Sequence, residues 1–383
     1  MTQQTPIGDN LLPVGLNPVL PDSRPFAASD APAQSKSASD RRTNHFNLIR
    51  VFAAMGVLFS HSFALTGHPE FLIGGKTVGF LCVAVFFSIS GFLITKSWLR
   101  FSSSTSFARN SFLRIYPGLW LAVAVTALVV GPLATTLPTR EYFLNFRFLT
   151  YLAGNGSLLH VVHRLPGVFE ESVNHSANGS LWTLPYEIIC YAVILAFGVL
   201  SKNHPKRFVF LVVAMLAVLL GVAFAASSPP NEGAIQMPLF VVRLAELLPY
   251  FFVGSLVAHS PARVRKLAPA LVLGLICAVA SGNPQALSLV FPATLAPLVV
   301  TLAYWPNSLL ARYNRFGDYS YGIYLYAFPV QQMVALHLKD CRPWQNILYS
   351  LPLVLGLAFV SWHLLESRAL KFVRQSQCPR PGL

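Results

Sequence analysis

The sequence predicts an all-α, polytopic integral membrane protein with about ten transmembrane helices and both termini in the cytoplasm. Three observations carry this prediction. The 383 residues are 54% hydrophobic and only 11% charged, against roughly a quarter charged in a typical soluble domain. Apolar runs of the length that crosses a bilayer, about 20 residues, recur along the chain. Lys and Arg collect in alternate connections between those runs, as the positive-inside rule requires.

The elements follow in order. Residues 1 to 44 are rich in Pro, Ser, Ala, Asp and Gln and lack the basic start and apolar core of a secretory signal, so they read as a disordered cytoplasmic tail. A single membrane domain is expected over 45 to 370. Its first five spans cover 46 to 66, 78 to 98, 115 to 135, 183 to 201 and 207 to 226. The other five cover 239 to 258, 267 to 281, 286 to 304, 319 to 338 and 346 to 364, the seventh being the shortest. With the N-terminus inside, the cytoplasmic connections hold Arg41 and Arg42, then Arg100, Arg109 and Arg114, then Lys202, Lys206 and Arg207. Arg263, Arg265 and Lys266 follow, then Arg312 and Arg315, and residues 371 to 383 form a second cytoplasmic tail. Connections on the other side have balanced charge, such as Glu70 with Lys76. The longest, from about 136 to 182, faces outward as a loop suited to covering an acceptor.

The net charge of +14 is spread through these short connections and not gathered in one patch, so it reads as topological and no nucleic-acid partner is expected. The five cysteines lack metal-ligand spacing, and no metal is expected. The partner implied directly is the lipid bilayer. The pattern fixes no oligomeric state.

Polar residues inside apolar spans carry the functional signal. The first span, NLIRVFAAMGVLFSHSFAL, holds Arg50 and His61. An ionisable group at mid-bilayer costs on the order of 3 kcal/mol or more, so such groups face the bundle interior and mark a functional path. Their spacing is close to three helical turns, which puts both on one face about 16 Å apart in depth. The competing reading has Arg50 snorkelling to the headgroups and His61 bonding to a neighbouring helix. Glu187, in NGSLWTLPYEIICYA, is a second intramembrane ionisable group. It lies about one turn inside the outer end of its span, as His61 does, which makes a His/Glu site geometrically available. In ARNSFLRIYPGLW, Arg109 and Arg114 precede a span opened by Pro117. Arginines there suit an anionic ligand or serve as ordinary anchors. Tyr321 and Tyr324 share a helix face and either line a channel or pack between helices. His160, His163 and His175 read as solvated loop residues.

These residues resemble acyltransferase family 3, the membrane O-acyltransferases of bacterial surface polysaccharides. The resemblance rests on Arg50 and His61 in the first span, FFSISGFLITKSW in the second, and Arg114-Ile115 with Pro117 at the third. Trp182 and Glu187 in SLWTLPYE and the late segment GDYSYGIYLYAFPVQQ complete it. The chain departs from the family pattern at Ser111, where a second basic residue is common, and at Ala327, where many members carry His. Glu366, followed here by Ser367 and Arg368, is read as structural.

The resemblance implies an acyl-CoA donor, most often acetyl-CoA, as co-substrate with no permanently bound cofactor. It also implies a carbohydrate or glycolipid acceptor, such as lipopolysaccharide, and a place in the bacterial inner membrane. A sugar hydroxyl needs a base to attack a thioester, and imidazole has the suitable pKa. His61 is therefore the expected base and Glu187 its orienting carboxylate. Arg50, Arg114 and Arg109 are expected to bind donor phosphates, and Tyr324 to line the donor channel. The rival reading is a transporter or flippase that uses intramembrane Arg, His and Glu, and it predicts inverted repeats. No convincing internal repeat is visible.

Overall fold

A computed structural model describes residues 44–101, 103–202, 204–226, 237–307 and 312–375. The expected N-terminal tail lies outside them, as do residues 376–383 of the second tail; 371–375 continue a helix. The described chain is a helical bundle with one small hairpin. Its first helices are α1 (Phe46–Leu65), α2 (Val78–Phe101) and α3 (Ser104–Ala134), the last with a π-helical turn at Thr126–Val130. Two short helices follow, α4 (Thr139–Leu144) and α5 (Phe146–Ser157). Then come α6 (Leu184–Leu200), α7 (Pro205–Ala226), α8 (Leu239–Val257), α9 (Pro261–Ser281) and α10 (Pro284–Ala303). The last are α11 (Ser320–His337), α12 (Pro343–Ser361) and α13 (Ser367–Gln375), the final pair joined by a π-helical turn.

Each expected span overlaps a helix, but α3 begins at Ser104, so Arg109 and Arg114 lie within it and Pro117 is in its interior instead of opening it. Among the described residues, seven segments are long and apolar enough to cross a membrane: α1, α2, α3, α6 with its leading turn, α7, α8 and α12 with its extension. In α9 and α10 only the shorter apolar pieces Lys266–Ser281 and Leu289–Ala303 qualify, because α9 opens on basic residues. α11 has 18 residues, but Tyr321, Tyr324, Tyr326, Gln331 and Gln332 lower its hydropathy.

The stretch from 136 to 182 differs from the loop expected of it. It contains α4 and α5, too short to register as spans, and Asn145 caps α5 by accepting from the Arg147 N–H at 3.0 Å. Between α1 and α2 a hairpin pairs β1 (Leu72–Ile73) with β2 (Lys76–Thr77). Its turn residues Gly74 and Gly75 have φ of 57° and 75°, the pair of positive values that a type I′ turn requires.

The centre of the bundle is α2 crossing α8. A Cβ on Gly91 would lie 1.9 Å from the Phe251 carbonyl oxygen, and one on Gly254 would lie 2.2 Å from that of Ser88. Glycine at both positions therefore sets backbone-to-backbone contact, the usual way membrane helices gain packing without a hydrophobic drive between them. α7, the most hydropathic span, is the least buried, as befits a helix facing lipid.

α1 lies against α2 on one side and α11 and α12 on the other. Gln331 on α11 donates through Nε2 to the Leu58 carbonyl at 2.8 Å and to Ser62 Oγ at 2.5 Å. Asn346 on α12 donates to the Gln331 carbonyl at 2.9 Å. The Ser62, Gln331 and Asn346 side chains in this contact are buried, and the polar knot fixes the register of three helices.

Candidate functional site

The site is built on the α1–α11 interface, where both helices run in the same direction. Near their starts Arg50 of α1 forms an ion pair with Asp318, just before α11. Asp318 uses its other oxygen to accept from the Ser320 N–H at 3.2 Å and the Ser320 hydroxyl at 2.5 Å. One carboxylate thus accepts from Ser320 at the start of α11 and holds Arg50. The Arg50 guanidinium also sits over the Phe86 ring at 5.8 Å.

Beside this pair is a cavity of about 30 Å³, lined by Arg50, Ser90, Thr183, Glu187, Tyr321 and Tyr324, with Val83, Phe86, Phe87 and Leu184 as apolar walls. Glu187 accepts from the Ser90 hydroxyl at 2.9 Å and the Tyr191 hydroxyl at 2.6 Å. Tyr324 donates to the Ser180 carbonyl at 2.8 Å and shares a 2.6 Å hydrogen bond with Thr183. Tyr321 donates to the Ile115 carbonyl at 2.8 Å. Buried Glu366 accepts from Ser361 at 2.7 Å and lies within electrostatic reach of Arg50 and Asp318.

Further along the interface is His61. Its ring meets Phe328 of α11 edge-on, 5.1 Å between centroids, and its Nδ1 is buried with no hydrogen-bond partner among the described residues. Arg50 and His61 therefore both face protein on one side of α1. Tyr324 lines the cavity, and Phe328, one turn further along α11, meets His61.

Glu187 does not sit at the depth its sequence position suggested. The structure groups it with Arg50, and no hydrogen bond joins it to His61 among the described residues. The reason lies in how α6 begins. Pro329 has no N–H, so the Leu325 carbonyl of α11 loses its intrahelical partner. Asn178 supplies one, donating to Leu325 at 2.9 Å. Asn178 also caps the 3₁₀ turn Gly179–Thr183 by accepting from the Ser180 N–H at 3.0 Å. This pulls a largely buried 3₁₀ turn to the middle of α11, and α6 starts there. Irregular backbone at that depth is tolerated because protein groups satisfy it.

The remaining expected site residues lie elsewhere. Arg114 is exposed on α3, within electrostatic reach of Tyr191, and Arg109 is partly buried one turn earlier; neither lines the cavity. His160, His163 and His175 are exposed, and no cluster of metal-ligating side chains occurs among the described residues. Sequence reading missed Asp318 and Ser90 as partners of the two central ionisable groups. Asp318 stood inside the late segment GDYSYGIYLYAFPVQQ, but its pairing with Arg50 spans 268 positions.

Residues 44–366 match a family model described as an acyltransferase domain. The chain belongs to acyltransferase family 3. As a member it is an acyltransferase enzyme, and the transporter reading is not favoured. The family member is 29% identical over 345 residues to the O-acetyl transferase of Shigella phage Sf6, covering 86% of this chain and 96% of that one. It is 31% identical over 372 residues to nodulation protein 10 of Rhizobium leguminosarum bv. viciae, covering 88% and 96%. It is 25% identical over 363 residues to acyltransferase MdmB of Streptomyces mycarofaciens, covering 87% and 90%. No solved structure matches this acyltransferase.

Proposed function

We propose that the protein is a bacterial inner-membrane O-acetyltransferase that moves acetyl from acetyl-CoA to a hydroxyl of an extracytoplasmic carbohydrate. The observation that carries this reading is the shared interface of Arg50 and His61. A cation and an imidazole with an unpaired nitrogen face the same protein interior, about 16 Å apart by helical rise. The similarity to the phage protein named O-acetyl transferase supports acetyl as the group transferred.

On this reading ten helices span the membrane with both termini inside. Arg50 and its cavity then lie toward the cytoplasm, where coenzyme A is made, and His61 toward the outside. Arg50 binds a donor phosphate, exchanging part of its pairing with Asp318 for the ligand, and Arg114 and Arg109 attract the nucleotide at the cytoplasmic mouth. Glu187, held by Ser90 and Tyr191, sets the charge balance around Arg50, and Tyr324 flanks the path of the thioester arm.

His61 takes the proton of the acceptor hydroxyl as its oxygen attacks the thioester carbonyl. The tetrahedral adduct then collapses, the C–S bond breaks, and the coenzyme A thiolate leaves with the proton returned from imidazolium. The products are an acetyl ester and free coenzyme A. Mass spectrometry of surface glycans from cells carrying wild-type or His61→Ala protein tests the reading. An acetyl mass present only with wild type is expected; equal acetylation in both would remove His61 as base.

A further inference from the structure

Four buried polar atoms on the segments that meet or carry Phe328 have no hydrogen-bond partner among the described residues: His61 Nδ1, Ser180 Oγ, Gln331 Oε1 and Gln332 Oε1. Their arrangement is specific. His61 meets the ring from α1. Gly179, adjacent to Ser180, meets it from the segment leading into α6, where a Cβ would come within 2.4 Å of the ring. Gln331 and Gln332 lie one turn beyond Phe328 on α11, and each bonds to one of these segments. Gln331 is bonded to Leu58 and Ser62, which bracket His61 on α1. Gln332 donates to the carbonyls of Asn174 and Ser176, at 2.6 and 3.0 Å, on the strand of chain leading to Gly179.

Those bonds occupy the amide nitrogens and leave both amide oxygens as acceptors. Ser180 is 1% exposed and both glutamines 0%. Native proteins retain few buried polar atoms without partners, because each forfeits its hydrogen bonds to water. Four on the segments that meet at one side chain therefore point to a ligand. Two amide oxygens and an imidazole nitrogen accept, and a serine hydroxyl both donates and accepts. The set complements an uncharged molecule presenting several O–H donors, and an aromatic ring among them suits the apolar face of a sugar.

We propose that His61, Ser180, Gln331 and Gln332 form a subsite for neutral hydroxyls of the acceptor carbohydrate, which Phe328 fills until acceptor enters. The inference rests on the O-acetyl transfer reading and adds to it the groups that recognise the acceptor. Entry requires the Phe328 ring to swing away from His61.

The test uses the full-length protein in lipid nanodiscs with labelled acetyl-CoA. The acceptor is the surface polysaccharide purified from the strain that carries the gene, de-esterified with mild alkali. Ser180→Ala removes a hydroxyl that makes no bond to the described protein, so the unfolding midpoint should stay at the wild-type value. The KM for polysaccharide should rise about 3- to 10-fold, the effect of one hydrogen bond, with the KM for acetyl-CoA unchanged. Gln332→Met should raise the same acceptor KM and also lower the midpoint, because it loses its bonds to Asn174 and Ser176. An unchanged acceptor KM in Ser180→Ala, or equal rises in both KM values, would overturn the subsite while leaving O-acetyl transfer intact. Absence of any transfer by the wild-type protein would instead defeat the transfer reading, and the subsite with it.

Discussion

Replacing Asp318 by Asn should destabilise the protein, and the reason can be followed through the structure. Asp318 neutralises Arg50 and accepts from Ser320 at the start of α11 with the same carboxylate. Removing one member of a buried ion pair costs about 3–5 kcal/mol, because the other charge is left desolvated and unpaired. The Arg50 side chain is 20% exposed and that of Asp318 15%, which reduces the figure to about 2–3 kcal/mol. At roughly 2 °C per kcal/mol for a large domain, the unfolding midpoint in detergent should fall by about 4–6 °C. The double variant Arg50→Met with Asp318→Asn has no stranded charge and should recover much of that loss, giving a coupling energy of about 2 kcal/mol in a double-mutant cycle. Additive single effects would show that the two side chains do not depend on each other and would refute the reasoning.

The other predictions concern neighbouring contacts. Asn178→Leu strands the Leu325 carbonyl and should cost about 1–3 kcal/mol; adding Pro329→Ala restores a helical N–H, so thermal unfolding should show the double variant less damaged than Asn178→Leu alone. Gly91→Leu drives a side chain into the Phe251 carbonyl, and size-exclusion profiles should show loss of folded monodisperse protein. Tyr324→Phe loses bonds to Ser180 and Thr183 and should lower the midpoint by the equivalent of about 1–2 kcal/mol. A midpoint unchanged from wild type would mean that those bonds do not hold the 3₁₀ turn.

Hydropathy made the helices legible, because a bilayer demands apolar length and every expected span fell on a helix. α4 and α5 were hidden because helices of 6 and 12 residues carry too little pattern to stand out from a loop. Arg50 and His61 were legible as one face of α1, since helical phase depends only on spacing. Glu187 was misplaced in depth because its position follows from Asn178 reaching a carbonyl that Pro329 had left open on a distant helix, and nothing local to Glu187 records that. Asp318 and Ser90 were missed for the same reason: their charge and hydrogen-bond partners are supplied by tertiary packing across the bundle.

The most direct test of the central claim is single-turnover acetyl transfer by His61→Ala in nanodiscs, with acetyl-CoA binding measured on the same sample. Because Arg50 and its cavity lie about three helical turns from the imidazole, donor affinity should match wild type while transfer to the polysaccharide falls at least about 100-fold. A His61→Ala protein that binds donor and transfers acetyl at the wild-type rate would contradict the account.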